Sequence, residues 1–539
     1  MYIPLPQRSQ LFRLALWLLI FCAVVAAASL VYEWYKVSRT MPDRGWNFPL
    51  LRLVGLVITN LIFTAVLAIV AVLYLWGRVA SNLPQLQGWH LQKPESEFSA
   101  SDAKIGYTLD NYLEQEIRVF KELAAFVDGP WANHQPGAYC RYFADSICNP
   151  ENAADRNWNR SFVLKAPNPI GGVLLLHGLS DSPYSLRVLG QRLHAEGYTV
   201  VWLRMPGHGT SPRALGDVSW EDWTAAVRIG MVGLRDQLPA GTPLILGGYS
   251  NGGALSVHYA LSSIADPALP KPNAVLLFSP MLGISPLASV TRLYHLVARV
   301  SGNQKAQWSS IDAEIDPFKY SSWPMNASMQ AWALTQTVEK KLAALEKSGR
   351  MREMPPVLAM QSVVDSTVVV HKLITVLFDR LVSKSNELFL FDINRVGWLS
   401  NLFNISFERK VFPHLKRMDL PYRLSVLRNV RPDSQQVAVN TRDGQSWVEQ
   451  EAQMSWPAGI VSLSHIAVPF PPEDPIYGCA EATAQSGLTL GSLSLRAEPS
   501  ALLISPSMFV RCRYNPFYKF MEDHAVSWLA ETIQHSQLR

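Results

Sequence analysis

The sequence predicts a doubly wound α/β domain, a mostly parallel sheet with helices on both faces, behind an apolar amino-terminal region. Three observations predict it. From residue 159 onward short, continuously apolar runs recur, helical patterns separate them, and one run leads directly into Gly248-Tyr249-Ser250-Asn251-Gly252. Strands that are apolar at every position are buried on both faces, as in a parallel sheet; a half-exposed strand would alternate with polar residues.

The chain has 539 residues, 48% of them hydrophobic, enough for a sizeable core and more. Part of that surplus lies near the amino terminus, where no charge occurs between Arg13 and Glu33 or between Arg52 and Arg78. Helices over about 14–32 and 53–77 would each cross a bilayer core of roughly 30 Å. The first also fits a cleaved signal peptide, but its apolar stretch is long and a second follows. Two retained transmembrane helices are therefore expected, making 1–79 a membrane anchor. Lys36, Arg39, Arg44 and Arg52 nearly balance Arg8, Arg13 and Arg78, so the positive-inside count does not orient them.

Residues 80–158 follow as a linker. About Ala80 to Asp102 reads as a polar tether with Pro84 and Pro94. Between Gly106 and Asp128, Leu109, Tyr112, Leu113, Ile117, Phe120 and Leu123 recur at helical spacing, predicting an amphipathic helix that packs on the domain or lies on the membrane surface.

The α/β domain is expected over 159–539. Its strands are Gly172–Leu176, Tyr198–Leu203, Pro243–Gly247, Ala274–Phe278 and Pro356–Met360. Between them Pro183–Gly197, Ser219–Leu238 and Asn251–Ser263 carry helical patterns. Two segments break the alternation: about 281–354, helix-rich and read as a cap, and about 394–456, read as a late insertion.

The chemistry centres on Ser250. A sharp strand-to-helix turn forces a serine into strained geometry and exposes its hydroxyl, and small neighbours at Gly248 and Gly252 keep side chains out of the way. A serine hydroxyl is a poor nucleophile, so it needs an imidazole to take its proton and a carboxylate to orient that imidazole. Asp365 follows the strand Pro356–Met360 through Gln361-Ser362-Val363-Val364, at the strand's carboxyl end; Asp392, after Leu388–Phe391, is the rival. Of the histidines after the acid, His371 follows too soon, His524 and His535 sit in a terminal amphipathic helix, and His414 lies in a basic stretch. His465, on a loop leaving Val461-Ser462-Leu463-Ser464, is the candidate base. Main-chain amides of Asn251 and Leu179 are the candidate oxyanion donors, while His177 and His208 read as loop-bracing residues.

His177-Gly178-Leu179-Ser180-Asp181-Ser182-Pro183, Arg204-Met205-Pro206-Gly207-His208-Gly209-Thr210, the Ser250 elbow, Asp365 and His465 together resemble the serine hydrolases of the α/β-hydrolase superfamily. Within it the chain looks like the monoacylglycerol lipase, lysophospholipase and carboxylesterase group. The resemblance runs in broken form from about Asn159 to Leu538. It implies the α/β-hydrolase fold, a Ser250–Asp365–His465 triad, an oxyanion pair of Leu179 and Asn251, and hydrolysis of lipid, lysolipid or other carboxylic esters through an acyl-enzyme. The interval from Asp365 to His465 is longer than the family's usual one, so His465 requires the late insertion to be looped out. The two spans are an addition to the family pattern.

A cap holding Leu282, Leu287, Leu293, Tyr294, Leu296, Val297, Trp308, Phe318 and Trp323 would form either an acyl slot or an ordinary packed layer. The same triad would equally serve acyl transfer or amide hydrolysis, and a retired hydrolase kept as a membrane-bound binding module is the non-enzymatic alternative. A net charge of +5 with no Lys/Arg stripe predicts no nucleic-acid partner. The cysteines lack close CxxC pairing, the histidines are scattered and no Gly-rich phosphate loop follows a strand, so neither metal nor cofactor is expected. Cys140, Cys148, Cys479 and Cys512 permit two disulfides in an oxidising compartment or four thiols in a cytosolic one, and a membrane protein with its catalytic domain on the periplasmic or external side is expected.

Overall fold

The structure, a computed structural model, describes residues 47–131, 139–283, 302–397, 406–417, 419–443, 446–479, 489–491 and 511–537, with Ala298 and isolated positions between 24 and 39. The chain divides into two compact units, Met1–Gln85 with Val290–Ser310, and Leu86–Ser289 with Ile311–Arg539.

In the smaller unit α1 spans Asn47–Ser81. Its end is fastened within the unit, where Trp76 Nε1 donates to the Ala306 carbonyl at 3.2 Å and Lys305 Nζ to the Leu83 carbonyl at 2.7 Å. Val54, Ile58, Leu61, Ile62, Phe63, Val66 and Val70 are exposed. At 3.6 residues per turn these positions cover an arc of roughly 200°, a broad apolar side of the helix. Among the described residues no helix is long and apolar enough to cross a membrane. The two expected spans are thus not found. Most of 14–32 lies outside the described residues, as do side chains of α1 on either side of its middle, and at mid-helix Asn60 is polar and accepts from Ser29 Oγ.

The larger unit is built on one sheet. Its strands are β1 (Phe162–Leu164), β2 (Gly171–Leu176), β3 (Tyr198–Leu203), β4 (Leu244–Tyr249), β5 (Ala274–Phe278), β6 (Val357–Ser362), β7 (Glu387–Phe391), β8 (Arg423–Asn429), β9 (Gln436–Asp443) and β10 (Ser446–Ser455). Across the sheet they run β1-β3-β2-β4-β5-β6-β7-β8-β9-β10. From β3 to β8 every pairing is parallel, while β1 and the last two strands join antiparallel.

Alternate side chains of the apolar strands serve two cores. Leu174 and Leu176 of β2 pack into one, Val173 and Leu175 into the other. On the first face lie α2 (Leu109–Asp128), α4 (Trp220–Asp236), α5 (Asn251–Ala265) and α6 (Met325–Lys347); on the second lie α3 (Arg187–Ala195) and the final helix α8 (Tyr518–Gln537). The parallel α/β layers are those the sequence predicts. Thr108 caps α2 and Ser219 caps α4, each accepting a main-chain N–H three residues on.

Three segments behave in ways periodicity does not reveal. The stretch read as a tether is pinned beyond Gln85: Glu97 and Glu116 both pair with the buried Arg204 guanidinium at 2.9 Å, and Tyr112 donates to the Arg204 carbonyl at 2.7 Å. A buried guanidinium needs such partners, and here they come from residues about a hundred positions earlier. Of the interval 281–354, residues 284–297 lie outside the described residues, and α6 packs on α5 in the helical layer. The late insertion is not looped out. After α7 (Ser406–Leu415), β8 pairs in parallel with β7, Leu424 opposite Leu388, and β9 and β10 follow as a meander. An edge left open at β7 would expose unpaired main-chain groups, and the insertion covers it. β10 is then the outer strand, with its side chains largely exposed.

Cys140, Cys148, Cys479 and Cys512 are all free, so the two permitted disulfides are not formed. Burial pushes the Cys140 thiol up to about 11 and the Cys148 thiol to about 12.

Candidate active site

Ser250 sits between β4 and α5 with φ 54° and ψ −113°, a strained conformation for a residue with a side chain. The neighbouring glycines permit it. A Cβ on Gly248 would collide with the Gly252 carbonyl, and one on Gly252 with the Leu176 carbonyl. The turn is also held from the next strand, since Ser250 N–H donates to the Phe278 carbonyl at 3.0 Å and Met281 N–H to the Ser250 carbonyl at 2.9 Å.

Ser250, Asp365 and His465 come together. His465 Nε2 lies 2.9 Å from Ser250 Oγ, and His465 Nδ1 lies 2.7 Å from Asp365 Oδ2. The other carboxylate oxygen accepts the Thr367 and Val368 amides at 2.9 and 3.0 Å. With Oδ1 so occupied, Oδ2 is aimed at the imidazole. A carboxylate on Nδ1 selects the tautomer that carries its proton there, which leaves Nε2 as an acceptor for the serine hydroxyl. All three residues are buried, Ser250 7% and His465 4% exposed.

The rival residues are employed elsewhere. Asp392 holds Arg395 at 2.7 Å and accepts the Ile393 amide, a strand-end role. His414 packs beside His371, the ring centres 4.8 Å apart. His524 bonds Glu387 at 3.0 Å, and His535 bonds its own helix.

The loop after β2 lies against the elbow: a Cβ on Gly178 would sit 3.3 Å from that of Ser250. Leu179 follows in that loop, partly buried against the core, and Asn251 is the first residue of α5, fully buried. His177 braces the loop. Its Nδ1 lies 2.8 Å from the Gly178 carbonyl and its Nε2 accepts the Met205 amide at 2.9 Å, so both ring nitrogens are engaged by a neutral imidazole, and burial pushes its pKa down to about 3. His208 is likewise driven well below its ordinary value by burial.

Several contributors escape sequence reasoning. Tyr249 donates from its hydroxyl to the His465 carbonyl at 3.2 Å. Asp181, next to Ser180 (φ 60°) in the loop after β2, is buried and pairs with Lys319 Nζ at 2.9 Å. Lys319 in turn lies over the rings of Tyr249, Phe470 and Tyr477. Ser464 donates from its hydroxyl to the Cys512 carbonyl, tying the base loop to a distant segment. Nothing local marks these residues, because each depends on a partner far along the chain. Of the apolar residues expected to form an acyl slot, Leu287, Leu293, Tyr294, Leu296 and Val297 lie outside the described residues, and Phe318 stacks on Tyr184 with ring centres 4.0 Å apart. Among the described residues no group of His, Cys, Asp and Glu could hold a metal ion.

Comparison with known proteins finds similarity over part of the chain, the family match including Ser250 and Asp365. Residues 167–374 match the family described as "Serine aminopeptidase, S33". A thermostable monoacylglycerol lipase of Bacillus sp. (strain H-257) is 35% identical over 95 residues, 18% of this chain and 37% of that one. Phospholipase YtpA of Bacillus subtilis (strain 168) is 27% identical over 121 residues, 22% of this chain and 44% of that one. The chain thus spans about two fifths of the length of these curated relatives. Among solved structures, a monoacylglycerol lipase of Paleococcus ferrophilus is similar at 22% identity and a TM-score of 0.33, over 43% of this chain and 89% of that one.

Proposed function

We propose, from the premise that this chain belongs to the α/β-hydrolase superfamily of serine hydrolases and is similar to its monoacylglycerol lipase and lysophospholipase group, that it hydrolyses carboxylic esters of lipids, monoacylglycerols or lysolipids. The observation that carries this reading is the continuous chain Ser250 Oγ, His465, Asp365, at 2.9 and 2.7 Å.

The reaction runs in two halves. Ser250 Oγ attacks the ester carbonyl as its proton passes to His465 Nε2, and Asp365 stabilises the imidazolium through Nδ1–H. The tetrahedral oxyanion is met by the main-chain amides of Leu179 and Asn251. Collapse breaks the bond to the alcohol, which leaves with the proton from His465. Water then gives its proton to His465, attacks the acyl-enzyme, and Ser250 is regenerated as the fatty acid leaves.

The lipid part of the reading is supported by the names of the two curated relatives, a monoacylglycerol lipase and a phospholipase. It is supported also by α1, whose exposed apolar residues would be buried in a bilayer, so membrane association belongs to the same proposal. Flotation of the full chain with liposomes tests that part; recovery in the unbound fraction would refute it. The substrate class is tested by an ester panel of graded acyl length. Hydrolysis of monoacylglycerols or lysophospholipids is expected, and a restriction to short soluble esters would refute the lipid assignment. The matched family's description favours one second reading, cleavage of amides by the same acyl-enzyme, which turnover of aminoacyl naphthylamides in place of esters would establish.

A further inference from the structure

Arg511 lies beside the acid and base loops of the site. Its Nη2 donates to the hydroxyls of Ser366 at 3.3 Å and Thr367 at 3.0 Å, the two residues after Asp365. The next residue, Cys512, accepts the hydrogen bond from Ser464, the residue before His465. One short segment therefore touches both loops that hold the triad, and it brings a guanidinium with it. The charge is felt at the elbow: Arg511 opposes the rise that burial, Asp181 and Asp365 impose on the Tyr249 phenol.

Arg141 and Arg235 also bond neutral acceptors, so what distinguishes Arg511 is this charge placed on the two triad loops. Arg187 pairs with Asp474, Arg204 with Glu97 and Glu116, Arg395 with Asp392, and Arg513 with Asp316. Arg511 has no carboxylate partner among the described residues; its exposed hydrogen bonds go to two neutral hydroxyls. Neutral acceptors leave the full positive charge in place, and a guanidinium offers five donors in a fork that fits a phosphate or carboxylate edge-on. An arginine that is to receive an anionic ligand beside the site must keep its charge unpaired, as Arg511 does among the described residues.

We propose that Arg511 binds the anionic head group of the substrate, a phosphate or carboxylate, while the scissile carbonyl lies on Ser250. This rests on the ester-hydrolase reading above and narrows it to anionic esters, with lysophospholipids ahead of neutral monoacylglycerols. Arg511 then acts on specificity and takes no part in the proton transfers.

The test uses the full chain in neutral detergent micelles with three esters of one acyl length: a neutral monoacylglycerol, a lysophosphatidylglycerol, and a monoester of a dicarboxylic acid. The wild type is expected to show a higher kcat/KM on the anionic esters, a preference that shrinks when salt is raised. The second and third arms separate phosphate from carboxylate. Arg511→Gln is expected to raise KM for the preferred anionic ester at least about tenfold relative to the neutral one, with Arg511→Lys recovering part of the difference. A loss of the same factor on all three esters would mean that Arg511 only clamps the loops, and would overturn the proposal. So would equal kcat/KM values at low and high salt in the wild type, a result that needs no variant. Labelling of Ser250 by a fluorophosphonate keeps the two readings apart: a labelled serine with no anionic preference overturns the Arg511 assignment alone, and an unlabelled serine with no ester turnover overturns the hydrolase reading together with it.

Discussion

The Tyr249 hydroxyl donates to the main-chain carbonyl of His465 at 3.2 Å while the two rings lie 5.2 Å apart, so the residue before the nucleophile also holds the base. Tyr249→Phe keeps the ring and removes the bond, a loss of about 0.5–1.5 kcal/mol. The expected outcome is a lower urea midpoint and a lower kcat with KM little changed. An unchanged kcat would show that the loop holds His465 without this bond.

Ser250→Ala and His465→Ala are each expected to lower kcat by about 10⁴–10⁶, with Asp365→Asn somewhat milder, and the double variants to lose little more, because the three act as one unit. His414→Ala should retain activity, since that side chain packs against His371. Ester turnover on purified variants, with fluorophosphonate labelling as the second readout, decides the matter.

Gly252→Ala places a methyl group against the Leu176 carbonyl, which is main chain and cannot swing away. Overpacking of this kind costs typically about 1–3 kcal/mol and here also moves the oxyanion loop. Loss of fluorophosphonate labelling together with a depressed Tm is expected. Gly241→Ala, where nothing lies within 4 Å of the new methyl but φ is +80°, should show only a backbone cost and keep its labelling.

Lys319→Met strips the partner from a carboxylate whose residue is 2% exposed. Breaking a buried pair from one side costs about 3–5 kcal/mol. Asp181→Asn combined with Lys319→Met should regain part of that loss, measured by chemical denaturation. Additive losses would show that the two residues act independently.

His90, His177 and His258 are each lowered to about 3 by burial, and burial lowers His208 well below its ordinary value too. Their folded-state pKa values lie below the unfolded one, so the stability they contribute is complete above about pH 6.5 and is lost as pH falls. Each adds a slope approaching about 1.4 kcal/mol per pH unit below that point. Glu314, raised to about 7 by burial, works in the opposite sense between pH 4.5 and 7, and burial raises Glu522 as well, but the histidines outnumber them. Urea midpoints are expected to fall steadily from pH 6.5 to 4.5, and more steeply below. A flat profile through that range would contradict the burial of these imidazoles.

The Ser250 elbow is legible because its cause is local: two glycines, a serine and an apolar strand are contiguous, and the steric need for each glycine can be stated before any fold is known. Asp365 and His465 follow from chain order and from the poor placement of Asp392, His371 and His414. The hundred residues between acid and base misled, because a looped-out insertion and a sheet extension both satisfy the spacing. Only strand pairing distinguishes them, with Leu424 opposite Leu388. Arg204 shows the other limit. Its partners Glu97 and Glu116 lie in segments that read as a tether and as an amphipathic helix, and the physical reason for the two carboxylates' positions is a buried charge far along the chain.

The strand Ser446–Ser455 ends the sheet with a row of main-chain groups facing outward, and such a row invites a second copy to join it. Were two copies to meet antiparallel about Gln450, Glu449 of one would face Glu451 of the other, and like charges directly opposite repel. Glu449 and Glu451 thus place like charges on the outer strand of the sheet, where they disfavour that pairing.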